Sequence, residues 1–497
     1  MPDPIKTLFT RIERQPLTAF GIFLIVVVGV RLIALGTSQL DLGPDETQYW
    51  FWAQSPAFGY FSKPPMIAWL IGATTGLFGD ASWAVRLASP LLHGGTACFL
   101  FALTHHLYDR KIAFWAGTGW LIMPGIAFSS TLMTTDVPLL FFWSGALYIF
   151  ALIMVERTPR FGEPSLGLGV MLGVFMGLGF LSKYAMVYFL IALLITVIVS
   201  GRIKDRRVWQ TLSVALGVMI VLLIPNVIWN QQHDFQTLSH TADNANWGAD
   251  LFNPDELGEF LVSQIGIAGP ITLGAFLVFL VVGLRNRALG DLRLLLAFAL
   301  NPLFIVSVQA FLSRAHANWA AAAYPAVLIM VTVWLYKSRR FNLLFANHAL
   351  HLIISVALAI GLSNLALADG LGLSNAVKRV RGWEAQGAVV AKAAAQYQTV
   401  MADDRELTGQ LLYYAGLAER GIIAFNSNNR VDSHYEAFFP FQGTEPGPLL
   451  YITQNADAIA VTPMFETVTP LITTTVDLKN GRTRTLYLFE IAGFRGR

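Results

Sequence analysis

The sequence predicts an all-α polytopic membrane protein with a small external α/β domain at its C-terminal end. Three observations point there. Hydrophobic residues make up 55% of the 497 residues and charged residues only 13%, against about 25% charged in an ordinary soluble domain. Apolar runs of about 20 residues, the length that crosses a bilayer, recur from Leu17 to Ala368. Beyond Asp369 charged and polar residues return, with short β-rich runs between helix-like stretches. A mean hydropathy of +0.55 excludes a soluble globular enzyme and a disordered chain. The single cysteine, Cys98, excludes an intrachain disulfide framework. It lies in an apolar run and reads as a small buried filler. A net charge of +3 is too small to indicate a nucleic-acid partner.

The first run, Leu17–Leu35, is followed by no small-residue cleavage site and reads as a membrane span. Spans are expected near 17–36, 84–106, 112–128, 136–155, 166–182, 184–200, 208–229, 260–284, 291–312, 318–336 and 348–368. Residues 64–79 are apolar but short and Gly-rich, which suits an interfacial or re-entrant segment. Basic residues cluster in every second loop: Lys6, Arg11 and Arg14; Arg110 and Lys111; Arg157 and Arg160; Arg202, Lys204, Arg206 and Arg207; Arg285, Arg287 and Arg293; Lys337, Arg339 and Arg340. The positive-inside rule places those loops, and the N-terminus, in the cytoplasm. The remaining loops and the C-terminal domain then face outward. The expected division is 1–369 in the membrane and 370–497 outside. In the latter, Thr399–Met401, Gly421–Phe425, Leu449–Thr453 and Thr485–Ile491 read as strands and Glu406–Leu417 as a helix.

The outward loops carry the residues of chemical interest. Asp45 and Glu46 lie just beyond the first span, ahead of Gln48, Tyr49 and Trp50. They could orient a sugar, hold a metal or act as a base; the plainer reading is a solvated loop with aromatic interfacial anchors. In Tyr60-Phe61-Ser62-Lys63-Pro64-Pro65 the prolines fix a turn. Lys63 is then either a snorkelling side chain or a point charge for a lipid phosphate. Asp136 opens a span, and taken alone it reads as a helix N-cap. His233, His240 and Asp243 sit in a polar loop. Two histidines at that spacing make no metal motif. Arg314 and Asn318 lie in Ser313-Arg-Ala-His-Ala-Asn-Trp319, where an arginine could bind phosphate bidentately. His93, inside a span, reads as a hydrogen-bonded core residue. No Walker motif is present, so nothing indicates an ATP-driven pump.

The Asp45-Glu46 pair, the Lys63-Pro64-Pro65 turn and a second aspartate opening a later span together resemble the polytopic GT-C glycosyltransferases. The group resembled holds the bacterial lipid A aminoarabinose and galacturonosyl transferases and the protein O-mannosyltransferases. The resemblance covers residues 17–340, and around 233–246 and 314–319 it favours the bacterial members. It implies a GT-C fold of about 11–13 transmembrane helices. It also implies an inverting transfer of a sugar from a polyprenyl-phosphate donor to lipid A or lipopolysaccharide core, at the periplasmic face of a bacterial inner membrane. Carried over by position, Asp45 is the first-loop catalytic residue with Glu46 beside it, and Asp136 is the second acid. Lys63 approaches the donor phosphate and Arg314 is a further candidate for that role. Tyr60, His233 and Asn318 are other site candidates. Lys183 or Arg314 could meet a carboxylated sugar. No organic cofactor is implied. Ser62 stands where the aminoarabinose transferases typically carry Glu, so a divalent metal is an expectation without an assigned ligand set. Two other readings are a protein or other polysaccharide acceptor, and a lipid or solute transporter. A transporter would place its charges in mid-span and show an internal repeat.

Overall fold

A computed structural model describes residues 14–155, 165–243, 251–285, 292–370, 372, 374–426, 428 and 430–496. Lys6, Arg11, Arg157, Arg160 and Arg287 of the basic loops lie outside the described residues, as do Asn244 and Asn246. The chain forms two compact units. The first draws on Met1–Gly36, Lys63–Ile67 and Arg86–Ala359, the second on Thr37–Ser62, Ala68–Val85 and Ile360–Arg497.

The first unit is helical. Among the described residues of the chain, seven helices are long and apolar enough to cross a membrane, or eight if one sharply bent pair counts as a span. These are fewer than the spans expected from sequence, although all those segments are helical. The 112–128 run is broken at Met123-Pro124 into Arg110–Ile122 and Pro124–Ser129. Proline lacks an N–H and restricts the residue before it, so the helix ends there. The 166–200 stretch divides at Lys183 into the shorter apolar helices Leu166–Ser182 and Tyr184–Val199. The 260–284 run is a pair, Pro254–Ala268 and Pro270–Gly283, bent by 112°. Gly269 sits in the bend at φ +81°, and a Cβ there would lie 2.1 Å from His351 Nε2. Only glycine meets both conditions. The last run begins earlier than expected, as Phe341–Ser363.

Packing in this unit follows the small residues. Gly169, Gly173 and Gly177 share one face of Leu166–Ser182, against the helix Arg206–Gln232. A Cβ on each would fall 2.6 Å from Thr211 O, 2.4 Å from Ala215 O and 2.8 Å from Leu222 Cδ1. Bare glycine edges let the two backbones close to that distance. Deeper in, Trp143, Phe189 and Phe298 form an aromatic knot with centroids 4.9–6.2 Å apart. Buried His93 bonds Ser129 Oγ at 3.0 Å. Cys98 is exposed on its helix rather than a buried filler.

The second unit holds a five-stranded sheet of order β2-β1-β3-β5-β4. The strands are β1 Thr399–Ala402, β2 Ile423–Ala424, β3 Leu449–Thr453, β4 Phe465–Lys479 and β5 Arg482–Phe494. β1 pairs in parallel with β2 and β3, whereas β5 runs antiparallel to β3 and β4. β1 and β3 are buried throughout, as central strands covered on both faces should be. β4 went unread from sequence because its residues are mostly exposed and alternate little. The unit also takes in the first loop. Tyr49, Trp50 and Trp52 are buried there, so they are core residues and not interfacial anchors. Trp50 donates to Asp80 Oδ1 at 2.7 Å, and Trp52 stacks on Tyr60 at 4.8 Å.

Candidate active site

The candidate residues fall into two clusters, one in each unit. In the first unit Asp136 is the first residue of the helix Asp136–Met154, and Thr135 occupies the cap position. The N-cap reading of Asp136 therefore fails. Its carboxylate makes two side-chain bonds instead. Oδ1 accepts from Lys183 Nζ at 2.7 Å, and Oδ2 accepts from Asn318 Nδ2 at 2.7 Å. The side chains of Asp136 and Lys183 are 9% and 21% exposed. An ionised pair so enclosed persists because each charge and both oxygens are satisfied. Lys183 reaches this position from the extended break between two helices. A polar shelf follows it: Tyr184 Oη donates to Asn226 Oδ1 at 3.0 Å and accepts from Asn230 Nδ2 at 3.3 Å. Asn226 and Asn230 are buried.

The other first-unit candidates lie as follows. Lys63 is half-buried in the turn before Met66. Arg314 is exposed in the extended stretch ahead of the Ala317–Ala323 turn. His233 closes the helix Arg206–Gln232, with its ring stacked on Trp229 at 4.0 Å and Nδ1 2.8 Å from Trp229 O. These bonds are local to its own helix.

In the second unit Pro44 opens the short helix Pro44–Ala53, a position where its missing N–H costs nothing. Glu46, two residues on, is buried and accepts from Gly43 N at 2.8 Å. At least one of its oxygens caps the helix. Asp45 is different: its side chain is 62% exposed. Oδ1 accepts from both Nη1 and Nη2 of Arg405 at 3.0 Å, and Nη1 also donates to Gln48 Oε1 at 2.6 Å. Burial acts to lower the pKa of Arg405, but the charge and hydrogen bond of Asp45 outweigh it and hold the guanidinium above its ordinary value. Tyr60 is buried, accepting from Ala57 N at 3.0 Å and donating to Trp52 O at 3.1 Å. Burial pushes its phenol up to about 12, so it stays a donor that ties the loop together.

Sequence reasoning missed Arg405 and Gln48, and left Lys183 without its partner. Lys183 had a signal: it is the only Asp, Glu, Lys or Arg between Glu163 and Arg202, and such a residue seeks a counter-charge. Arg405 had none, being one arginine in a polar domain. Among the described residues no group of three or more His, Cys, Asp or Glu side chains could hold a metal ion.

Residues 62–229 match the family model described as dolichyl-phosphate-mannose-protein mannosyltransferase. The chain is 34% identical over 447 residues to the lipid A galacturonosyltransferase RgtD of Rhizobium johnstonii, covering 87% of this chain and 91% of that protein. The chain belongs to the GT-C glycosyltransferases. This GT-C enzyme is also 28% identical over 206 residues to the undecaprenyl phosphate-alpha-4-amino-4-deoxy-L-arabinose arabinosyl transferase of Serratia proteamaculans, covering 39% of this chain and 37% of that one. Its fold is that of ArnT from Cupriavidus metallidurans in the apo state. The TM-score is 0.67 at 16% identity, over 94% of this chain and 97% of the other. Membership of a glycosyltransferase family supports the transferase reading over the transporter one.

Proposed function

We propose that this enzyme transfers a galacturonic acid residue from a polyprenyl-phosphate donor to lipid A, at the periplasmic face of a bacterial inner membrane. The observation that carries this reading is the similarity to the lipid A galacturonosyltransferase RgtD over nearly its whole length. Support for the donor comes from fold: ArnT, with a TM-score of 0.60 at 16% identity, has been crystallised with undecaprenyl phosphate. Support for the orientation comes from the basic loops at Arg110–Lys111, Arg202–Arg207 and Lys337–Arg340, which belong on the cytoplasmic side.

The chemistry assigns the residues. An acceptor oxygen attacks the anomeric carbon while the bond from that carbon to the phosphate oxygen breaks, so the configuration inverts. The polyprenyl phosphate leaves as an anion and needs charge stabilisation, not a general acid. Lys63 supplies it, with Arg314 as a second cation. If the acceptor is a hydroxyl, its proton passes to Asp45; if it is a phosphate, Asp45 orients the acceptor and steadies positive charge at the anomeric carbon. Asp136, fixed by Lys183 and Asn318, is the second carboxylate of the reaction. The deciding experiment is lipid A mass spectrometry on cells lacking the protein and on cells carrying only Asp45→Asn. Loss of one hexuronic acid increment in both supports the reading. Unchanged lipid A in the deletion overturns it. Loss in the deletion alone keeps the transferase and removes Asp45 from its role.

A further inference from the structure

We propose that Arg405 is a positioning residue for Asp45, so that the C-terminal part of the chain completes the catalytic carboxylate. The inference rests on the role given to Asp45 above and concerns how that carboxylate is aimed.

Both terminal guanidinium nitrogens converge on one oxygen. Nη1 and Nη2 each donate to Asp45 Oδ1 at 3.0 Å, and among the described residues Oδ2 accepts no hydrogen bond. A carboxylate anchored through one oxygen presents the other in a fixed direction. Exposed ion pairs ordinarily add little to stability, and with side chains 38% and 62% exposed this pair should add little. Its geometry is nonetheless over-determined. Nη1 is also committed to Gln48 Oε1 at 2.6 Å, and Gln48 is buried.

The backbone carrying Arg405 is equally constrained. Asp404 caps the helix Arg405–Tyr414, accepting from Leu407 N at 2.8 Å. That helix lies along Pro44–Ala53. Gln410 Nε2 donates to Leu42 O at 3.0 Å, and Leu42 N donates to Tyr414 Oη at 2.6 Å. At Gly409 an added Cβ would meet Thr47 Oγ1 and Tyr435 Oη, each at 3.0 Å. Arg405 thus opens a helix whose following turns, at Gly409, Gln410 and Tyr414, are fixed against the first loop, more than a weak surface pair requires. What such constraint serves is the placement of a carboxylate, since a misplacement of about 1 Å can cost 100-fold in rate.

The test uses the full-length enzyme in detergent-solubilised membranes of the deletion strain, which supply the donor, with lipid A from the same strain as acceptor. Arg405→Gln should lower the maximal rate about 10- to 100-fold while the lipid A concentration for half-maximal rate and the unfolding midpoint stay near wild type. Arg405→Lys should recover part of the rate. Arg495→Gln, which removes an exposed pair with Glu466 on another part of the same unit, should leave the rate unchanged. A maximal rate for Arg405→Gln within about twofold of wild type overturns the proposal. So does a loss that tracks the unfolding midpoint, because that marks a structural role. If wild type itself transfers nothing to lipid A, the lipid A reading fails and this inference falls with it. If wild type transfers and only the Arg405 expectation fails, the lipid A reading stands alone.

Discussion

Lys183 Nζ lies 2.7 Å from Asp136 Oδ1, across 47 residues of sequence. The pair joins the break between two apolar helices to the first turn of a third, and Asn318 takes the second carboxylate oxygen. Three distant stretches of the chain are thereby held at one carboxylate. The negative charge also sits in the first helical turn, where the helix dipole favours it.

Lys183→Met should therefore destabilise the protein by about 3–5 kcal/mol, toward the lower end because the lysine keeps some contact with solvent. Removing one partner strands the other charge in an enclosed site. Lys183→Met combined with Asp136→Leu should melt well above the single variant, since no charge is then left unpaired. Thermal unfolding of the detergent-solubilised protein measures both. Equal midpoints for wild type and Lys183→Met would show that the pair holds nothing together.

The helical bend at Gly269 makes a second prediction. Gly269→Ala places an L-residue at φ +81° and drives its Cβ into His351. With ψ at 149° this is a backbone region essentially reserved for glycine, where another residue costs about 1–3 kcal/mol, and the clash adds to it. His351→Ala in the same chain should relieve the clash and not the strain. The double variant should therefore accumulate in membranes to a level between Gly269→Ala and wild type. Wild-type accumulation of Gly269→Ala would mean that the bend is not held as described.

How far the sequence reaches can be read from these residues. The helices were legible because burial in lipid demands long apolar runs, and Asp45, Lys63 and Asp136 were singled out because they lie on one side of the expected spans in an order that resembles a known family. Helix breaks at Met123 and Gly269 were harder, since hydropathy stays high through them. Asp136 was misread as a cap because its true partners, Lys183 and Asn318, are distant in sequence. The anchor reading of Tyr49 and Trp50 failed because an aromatic cluster looks alike whether it meets headgroups or a protein core. Arg405 was invisible: nothing in residues 400–410 distinguishes an arginine that reaches Asp45 from one that faces water.

His434 gives a prediction in pH. It is buried among Trp52, Phe51, Phe438 and Phe439, and burial lowers its pKa to about 3. The unfolded chain takes up a proton near 6.5, while the folded chain does not until far lower. The unfolded state thus binds more protons between those values. Stability contributed by the neutral ring is complete above pH 6.5 and falls as the pH drops toward 3, by about 1.4 kcal/mol per pH unit. His434→Phe should flatten the decline in unfolding midpoint between pH 7 and pH 5. An unaltered slope would place the acid sensitivity elsewhere.

Lys63 carries the last prediction, because the proposed reaction has its largest charge change at the leaving phosphate. A cation that stabilises that charge as it develops acts on the transition state more than on the bound donor. Lys63→Ala should accordingly lower the maximal rate of lipid A modification by about 100- to 1000-fold, the scale seen when one such stabilising group is removed. Lys63→Arg keeps the charge on a planar fork with different reach, and should recover part of that loss. Arg314 is exposed and stands on a separate segment. If it is the principal phosphate ligand, Arg314→Gln will show the larger loss and Lys63→Ala the smaller. Rate measurements on the two single variants at saturating lipid A therefore decide which cation receives the phosphate, and a loss under tenfold for both would remove the phosphate role from this pair of residues.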